Sequence, residues 1–435
     1  MKAARLFTAA LFATAAVHAA DSDPDPGFAF GGIATRAVTA PQYQLFEPGA
    51  AQGDDGSLVT AGVAGVSAYS TATRFAVAKF LPDGGVDTNF GSVGVSEIDF
   101  SNGAADYPAY ARSVARLDGG QWLVAGRVGP SFDVGLARLL PNGQLDGAYG
   151  NQGRAQVDAG GQDILLDLQV DAQQRAWLLV DSNSDVLLRF TAQGQLDASF
   201  GVGGKLVLPN DIAPLGFTRD AQGRILLGGI QFGTTHYRMA VRRLRADGST
   251  DTSFGNQGTS LLEPDLRANA QQLRVLADGR ILVVGNSHHA TNWQGSSYGR
   301  LTVARLLPDG QLDTGYGTNG FRVVDFGGDE RGIAYPDARI ALGPDGKLTL
   351  ARAVIEPVAA IRLARLLPNG QPDTTFAPEG KRTALQNGYT GLTLSNVLLS
   401  SQRLLIAGTY NQGNQRVFYA TAWRDGDRIF RDGLD

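Results

Sequence analysis

The chain has 435 residues, 38 basic and 42 acidic, for a formal net charge of −4. Mild acidity without clustering excludes the basic stripe that nucleic-acid binding needs to neutralise phosphates. There is no cysteine, which excludes disulfides, thiolate metal sites and a lipid-modified cysteine, and leaves apolar burial to supply stability.

The N-terminus reads as a secretory signal. Lys2 and Arg5 form a positive start, Leu6 to Val17 an apolar stretch too short to span a bilayer, and Val17-His18-Ala19 a small-residue cleavage site. Cleavage after Ala19 leaves 36 basic against 42 acidic residues. The expected division is residues 1–19 as signal, 20–426 as one repeat domain and 427–435 as a short acidic-aromatic tail. The expected destination is the periplasm or the exterior. No other segment is long and apolar enough to cross a membrane.

From about residue 50 onward one pattern recurs. An apolar run enters a Pro-Asp-Gly turn, then come an Asp and an aromatic-Gly pair, as in Phe80-Leu81-Pro82-Asp83-Gly84 through Asp87 and Phe90-Gly91. The Asp recurs at Asp87, Asp146, Asp197, Asp251, Asp313 and Asp373, spaced by 51 to 62 residues. Pro presets the turn, Asp or Asn caps it and Gly takes the positive φ. The aromatic is a wedge for packed sheets, and the Gly after it allows a bend that a side chain would block.

A second element precedes the first in every unit: a polar-Gly turn and then an apolar strand that often ends in Gly, as in Asp118-Gly119 to Gly126. This element occurs seven times, the first only six. The counts agree if one unit is split between the ends. Tyr419 to Gly426 resembles the run entering the turn, and Asp25 to Phe28 with Ile33 to Thr39 resembles what leaves it. Each unit reads as four short strands; in the second these are 112–117, 121–126, 134–140 and 154–157. The expected fold is all-β, a seven-bladed β-propeller of four-stranded antiparallel blades, with one blade closed by N- and C-terminal strands together. An open β-solenoid is the competing architecture.

The L-P-[DN]-G-x-x-D-x-x-[FY]-G core resembles the delta-60 repeat family of secreted bacterial proteins, over roughly residues 25–426. Thr191-Ala192-Gln193 and Arg245-Ala246-Asp247 lack the Pro, and Ala377 replaces the Gly after the aromatic. The resemblance implies a β-propeller-like fold and supplies no catalytic residues.

In a four-stranded meander the regular Asp-Gly turns share one rim and the irregular segments the other, where function usually resides. The irregular segments contribute Tyr69, Tyr107, Tyr110, His236, Tyr237, His288, His289, Trp293, Tyr298, Arg331 and Tyr335 as candidate contacts for a partner. His288 and His289 are adjacent, so their rings diverge on an extended backbone and chelate a metal poorly. Gly295 to Gly299 matches G-x-S-x-G without the helix that a nucleophile elbow requires. The recurring Asp could instead serve calcium, yet each turn offers two acids at most, and turn capping is the simpler role. No cofactor is expected.

The leading expectation is a secreted, monomeric, non-catalytic interaction module whose partner is an extracellular protein or glycan. The alternative is an extracytoplasmic hydrolase or lyase with its site at the central channel. An enzyme should converge acids, Arg, His or Tyr with perturbed proton affinities on the axis, and a binding module should show a broad aromatic patch.

Overall fold

The computed structural model describes residues 25–424 apart from 26, 30–32, 40–48, 66–71, 102, 104–106, 234–236, 289–299, 327–330, 333–337, 357–358, 387–389, 401–402 and 413–414. The signal segment and the C-terminal tail lie outside the described residues. Those residues are almost wholly strand, with two single-turn 3-10 helices at Asp118–Gly120 and Pro378–Gly380. No helix among them is long and apolar enough to cross a membrane.

Among the described residues the strands form seven antiparallel units, numbered here as sheets 1 to 7, each built on four strands; the short Arg331–Gly332 adds a fifth to sheet 6, and Arg267–Ala268 joins sheets 4 and 5. Sheets 1 to 6 span 49–98, 109–157, 164–207, 213–262, 272–324 and 339–386. Sheet 2 consists of Ala109–Arg116, Trp122–Val128, Asp133–Leu139 and Arg154–Val157. Sheet 7 takes Thr390–Leu399, Arg403–Gln412 and Gln415–Arg424 from the C-terminal end and Ile33–Thr39 from the N-terminal end. That last pairing runs antiparallel from Ile33 opposite Thr421 to Thr39 opposite Gln415. The split unit expected from the repeat count is present.

Period-two alternation explains the continuous apolar runs. In the second strand of sheet 2, Trp122 and Val124 face sheet 1, while Leu123 and Ala125 face sheet 3. Both faces of each sheet are covered, so both sets of residues are apolar. Seven clusters result, one between each pair of neighbouring sheets, and the last joins sheet 7 to sheet 1 through Phe28, Leu58, Phe80 and Phe418. The sheets therefore pack round an axis. The linear stacking of an open solenoid is excluded.

The recurrent turn is an inter-sheet device. Phe90, Tyr149, Phe200, Phe254, Tyr316 and Phe376 are all buried, with Phe28 as the seventh member. The amide N–H of Gly91 donates to the turn carbonyl of Asn142 in the next repeat at 2.7 Å, and Gly150, Gly255 and Gly317 do the same. Gly91 has φ +56, and a Cβ there would meet the Val95 carbonyl oxygen at 2.2 Å. Where Ala377 replaces this Gly, its φ is −170 and the chain makes the 3-10 turn instead. The two turns without Pro still close, through Gly194 N–H to Thr191 at 3.0 Å and Gly248 N–H to Arg245 at 2.9 Å.

Apolar burial is not the whole of the stability. Each recurring Asp meets a base eight residues earlier, on the run entering the turn. Lys79 pairs with Asp87 at 3.2 Å, Arg138 with Asp146 at 2.8 Å, Arg189 with Asp197 at 2.7 Å and Arg243 with Asp251 at 2.7 Å. Arg305 with Asp313 at 2.7 Å and Arg365 with Asp373 at 2.8 Å complete the internal set. The other carboxylate oxygen accepts the backbone N–H two residues on, the turn-capping bond expected of it. The arginines also lie over the wedge rings, Arg243 at 4.5 Å from the Phe254 centroid.

Two features differ from expectation. Strands run into segments expected to be loops: Ile225–Phe232 and Tyr237–Leu244 leave a shorter hairpin, and Ile281–His288 extends two residues past Asn286. Polar residues at these tips satisfy the ladder as well as apolar ones, because the backbone makes the bonds. Second, the short strand Arg267–Ala268 bridges sheets 4 and 5, pairing Arg267 with Tyr237 on one side and His288 on the other.

Candidate functional site

The first strand of each sheet is the innermost, and these strands together wall an axial cavity of about 390 Å³. Four of these inner strands are bulged where they pair with the second strand, between Ala111 and Ser113, Leu165 and Asp167, Pro214 and Gly216, and Leu394 and Asn396. The extra residues Arg112, Leu166, Leu215 and Ser395 all line the cavity. A bulge bends its strand and re-aims its side chains, here toward the axis. It also explains the Gly that ends the second strand. A Cβ on Gly126 would lie 1.9 Å from the Tyr110 carbonyl oxygen, and one on Gly408 would lie 2.0 Å from that of Thr393.

The cavity wall is polar. It holds Arg112, Asp167, Gln169, Gln271, Arg274, Arg339 and Asn396. Asp167 still touches the cavity surface, yet the surrounding wall strips most of its water. Burial pushes its carboxyl above the usual range, against a bond from the Phe217 N–H at 3.4 Å, one from Gln169 at 3.3 Å, and the charge of Arg274. Burial lowers the Arg274 guanidinium in turn, and Arg274 donates to the Leu273 carbonyl at 2.8 Å. Arg339 donates to the Ser395 carbonyl at 2.8 Å and Asn396 to that of Ala50 at 2.9 Å, so these side chains also tie neighbouring inner strands together.

At the rim away from the Asp-Gly turns, the described ends of two irregular segments meet, the Thr73 hydroxyl bonding the carbonyl and N–H of Ala109 in the adjacent sheet. Tyr107 is half-buried there and its hydroxyl bonds Gln156 at 3.0 Å. Tyr110 is only 5% exposed and lies under the Arg127 guanidinium at 5.1 Å. Tyr237 and His288 come together through the bridging strand, each opposite Arg267. Arg267 lies over the Tyr237 ring at 5.2 Å, and Phe232 meets the same ring edge-on at 5.1 Å. Phe232 is 62% exposed and was not among the sequence candidates. Its position at the end of an apolar strand, five residues before Tyr237, was the available signal. Arg331 lies opposite Glu356 in sheet 6. Tyr69, His236, His289, Trp293, Tyr298 and Tyr335 lie outside the described residues, as does the G-x-S-x-G segment.

Five stretches, 54–90, 120–148, 222–254, 276–316 and 343–376, match the family model described as a domain of unknown function (DUF5122) β-propeller. A search of curated proteins finds no match. Among solved structures, the chain is similar to the β-propeller domain of Myceliophteria thermophila Cps50 (Swd1), at 9% identity and TM-score 0.49 over 88% of this chain and 98% of that one. It is also similar to the β-propeller domain of the Pyrococcus furiosus Trilobed protease, at 9% identity and TM-score 0.43 over 90% and 96%. A polysaccharide lyase of family PL25, an ulvan lyase, superposes at 9% identity and TM-score 0.48 over 91% and 97%. At these identities and superpositions the neighbours say nothing of what this chain binds or does. The repeat matches and the ring of antiparallel sheets identify the chain as a β-propeller repeat protein.

Proposed function

We propose that the protein is an exported, non-catalytic binding module whose irregular rim holds a glycan or protein at the cell surface. One observation carries this reading: the rim cluster of Phe232, Tyr237, Arg267 and His288. An exposed ring packed edge-on against a second ring is a rigid apolar anchor with little entropy to lose, and the guanidinium beside it adds a directed donor set. Exposed aromatic and arginine side chains are the usual centres of binding energy at interfaces. Ring faces suit the C–H faces of sugars, and Arg267 suits a carboxylate or sulfate on them, so an acidic glycan is the first partner to test.

The experiment is an array of acidic and neutral polysaccharides probed with the mature chain and with Phe232→Ala. Binding to acidic glycans that falls at least tenfold in Phe232→Ala supports the reading. A blank array, or binding indifferent to the substitution, overturns it.

The axial cavity favours a second reading, a hydrolase or lyase that uses it. Asp167 has the raised proton affinity of a general acid, and Arg112, Arg274 and Arg339 share its wall. Turnover of uronic-acid polysaccharides by the parent, abolished in Asp167→Asn, would establish it in place of the binding role.

A further inference from the structure

Three carboxylates converge on the irregular rim away from both sites above. Asp133 opens the third strand of sheet 2, and Asp158 and Asp163 bracket the link from sheet 2 to sheet 3. One carboxylate oxygen from each lies within 4.8 Å of the other two. The backbone fixes this arrangement. The Asp163 N–H donates to the Phe132 carbonyl at 3.1 Å, drawing the link onto the strand start, and Gly160 at φ +132 makes the bend between the two acids.

Such a cluster is costly as it stands. Like charges a few ångströms apart in a partly desolvated place repel strongly unless a proton or a cation joins them. No lysine or arginine among the described residues forms an ion pair with any of the three. Lys205 Nζ, the nearest base that bonds this segment, donates to the Asp158 backbone carbonyl instead of its carboxylate.

The second observation is an unsatisfied buried atom. Asp163 has 1% exposure although it sits close under the rim, and its Oδ2 accepts the Ala159 N–H at 2.8 Å. Its Oδ1 is buried without a well-formed hydrogen bond: the Ser182 hydroxyl from the next sheet lies beside it as a weak donor and has no other partner. A buried carboxylate oxygen so poorly bonded is rare in a folded protein, and an unseen ion is one of its standard explanations. Burial first, then the charges of Asp158 and Asp133, raises the proton affinity of Asp163. The Gln156 amide donates to Asp133 at 2.9 Å and the Gly160 N–H to Asp158 at 2.7 Å, but these donors are neutral, and the three carboxylates are short of positive charge.

We propose that Asp133, Asp158 and Asp163 bind one hard divalent cation, calcium by their donor set, as a clamp between sheets 2 and 3. All the candidate donors are oxygens, which select calcium or magnesium over softer metals. Carboxylates from a strand start and a glycine-bent link suit the larger ion, which tolerates irregular geometry and accepts carbonyl and water oxygens for the remaining positions. The Ser182 hydroxyl extends the site onto sheet 3, so occupancy couples two neighbouring sheets.

The test uses the mature chain stripped with chelator, titrated calorimetrically with calcium chloride and separately with magnesium chloride, with melting followed in parallel. We expect one equivalent of calcium to bind and to raise the melting temperature. Asp158→Asn, at an exposed position that tolerates substitution, should weaken binding at least tenfold, and Asp163→Asn should abolish it. Without metal, Asp158→Asn should melt no lower than the parent, because it removes repulsion. Absence of heat and of any melting shift up to about 5 mM calcium, above the range of weak extracellular sites, overturns the proposal. So does a calcium shift that survives intact in Asp158→Asn. Preference for magnesium overturns the assignment to calcium.

Discussion

Arg403 donates from Nε to Oδ2 of Asp25 at 2.6 Å, joining residues 378 positions apart in the chain. It stands in across the termini for the pair that each internal repeat makes within eight residues: Ala422 holds the place of the internal base, and Arg403 supplies the charge from the second strand of sheet 7 and donates to the Pro82 carbonyl at 2.8 Å. The ring is closed by the same chemistry that builds each of its units.

That pair should therefore matter to global stability. Asp25 is nearly buried and Arg403 about a third exposed, so Asp25→Asn should cost about 1–3 kcal/mol, the range for a charged hydrogen bond left half-made. Breaking the exposed Arg238–Glu263 pair should cost less than about 1 kcal/mol. Urea unfolding of the two variants side by side measures the difference.

Two members of the internal set are the most enclosed, Arg365–Asp373 at 6% and 1% side-chain exposure and Arg243–Asp251 at 4% and 8%. Arg243→Ala strands a buried carboxylate and should cost about 3–5 kcal/mol. A matched Arg243→Met, Asp251→Leu double variant should recover much of the loss, since packed apolar residues replace such pairs well.

Acid should reveal the same set. The Ser253 hydroxyl, and with it Arg243, holds the Asp251 carboxyl below its ordinary range, and the Ser199 hydroxyl with Arg189 does so for Asp197. A depressed carboxylate stabilises the fold above its unfolded value, near 4, and that contribution is lost as pH falls through the folded value. Stability should therefore drop steeply below about pH 4. Asp185 has the opposite sign, because burial and then the Asp181 charge push it up to about 6. Its contribution is present at low pH and lost as pH rises through 6. Asp185→Asn should flatten the pH dependence of melting temperature between about 4 and 6, the window between its unfolded and folded values, without altering the limb below it.

The bulged inner strands predict a glycine requirement with a geometric cause. Gly126→Ala would drive a methyl to 1.9 Å from the Tyr110 carbonyl oxygen and should cost about 2–3 kcal/mol. Phe254→Ala, which empties the wedge between sheets 4 and 5, should cost about 3–5 kcal/mol. Phe232→Ala on the rim should stay within about 0.5 kcal/mol.

The sequence carried the repeat, its turn chemistry and the split unit, because those are local signals. The Pro-Asp-Gly turn, the wedge aromatic and the period-two runs each occupy fewer than a dozen residues. The bases at Lys79, Arg138 and Arg243 stood in the same runs, but only the folded-back hairpin shows that they face the Asp eight residues on. The inner-strand bulges left no mark except the Gly opposite them, which read as a strand end. The bridge through Arg267, and the meeting of Asp133 with Asp158 and Asp163, join residues 21 or more positions apart. No periodicity reports contacts of that kind.

The closure of the ring through sheet 7 has one direct test. The chain has no cysteine, so a single introduced pair is unambiguous. Ala34 and Ala420 face each other in the antiparallel register, at a spacing a disulfide can bridge. Ala34→Cys, Ala420→Cys should oxidise within one molecule to a faster-migrating monomer with a raised melting temperature. A pair that stays reduced, or links only between molecules, would contradict the closed ring.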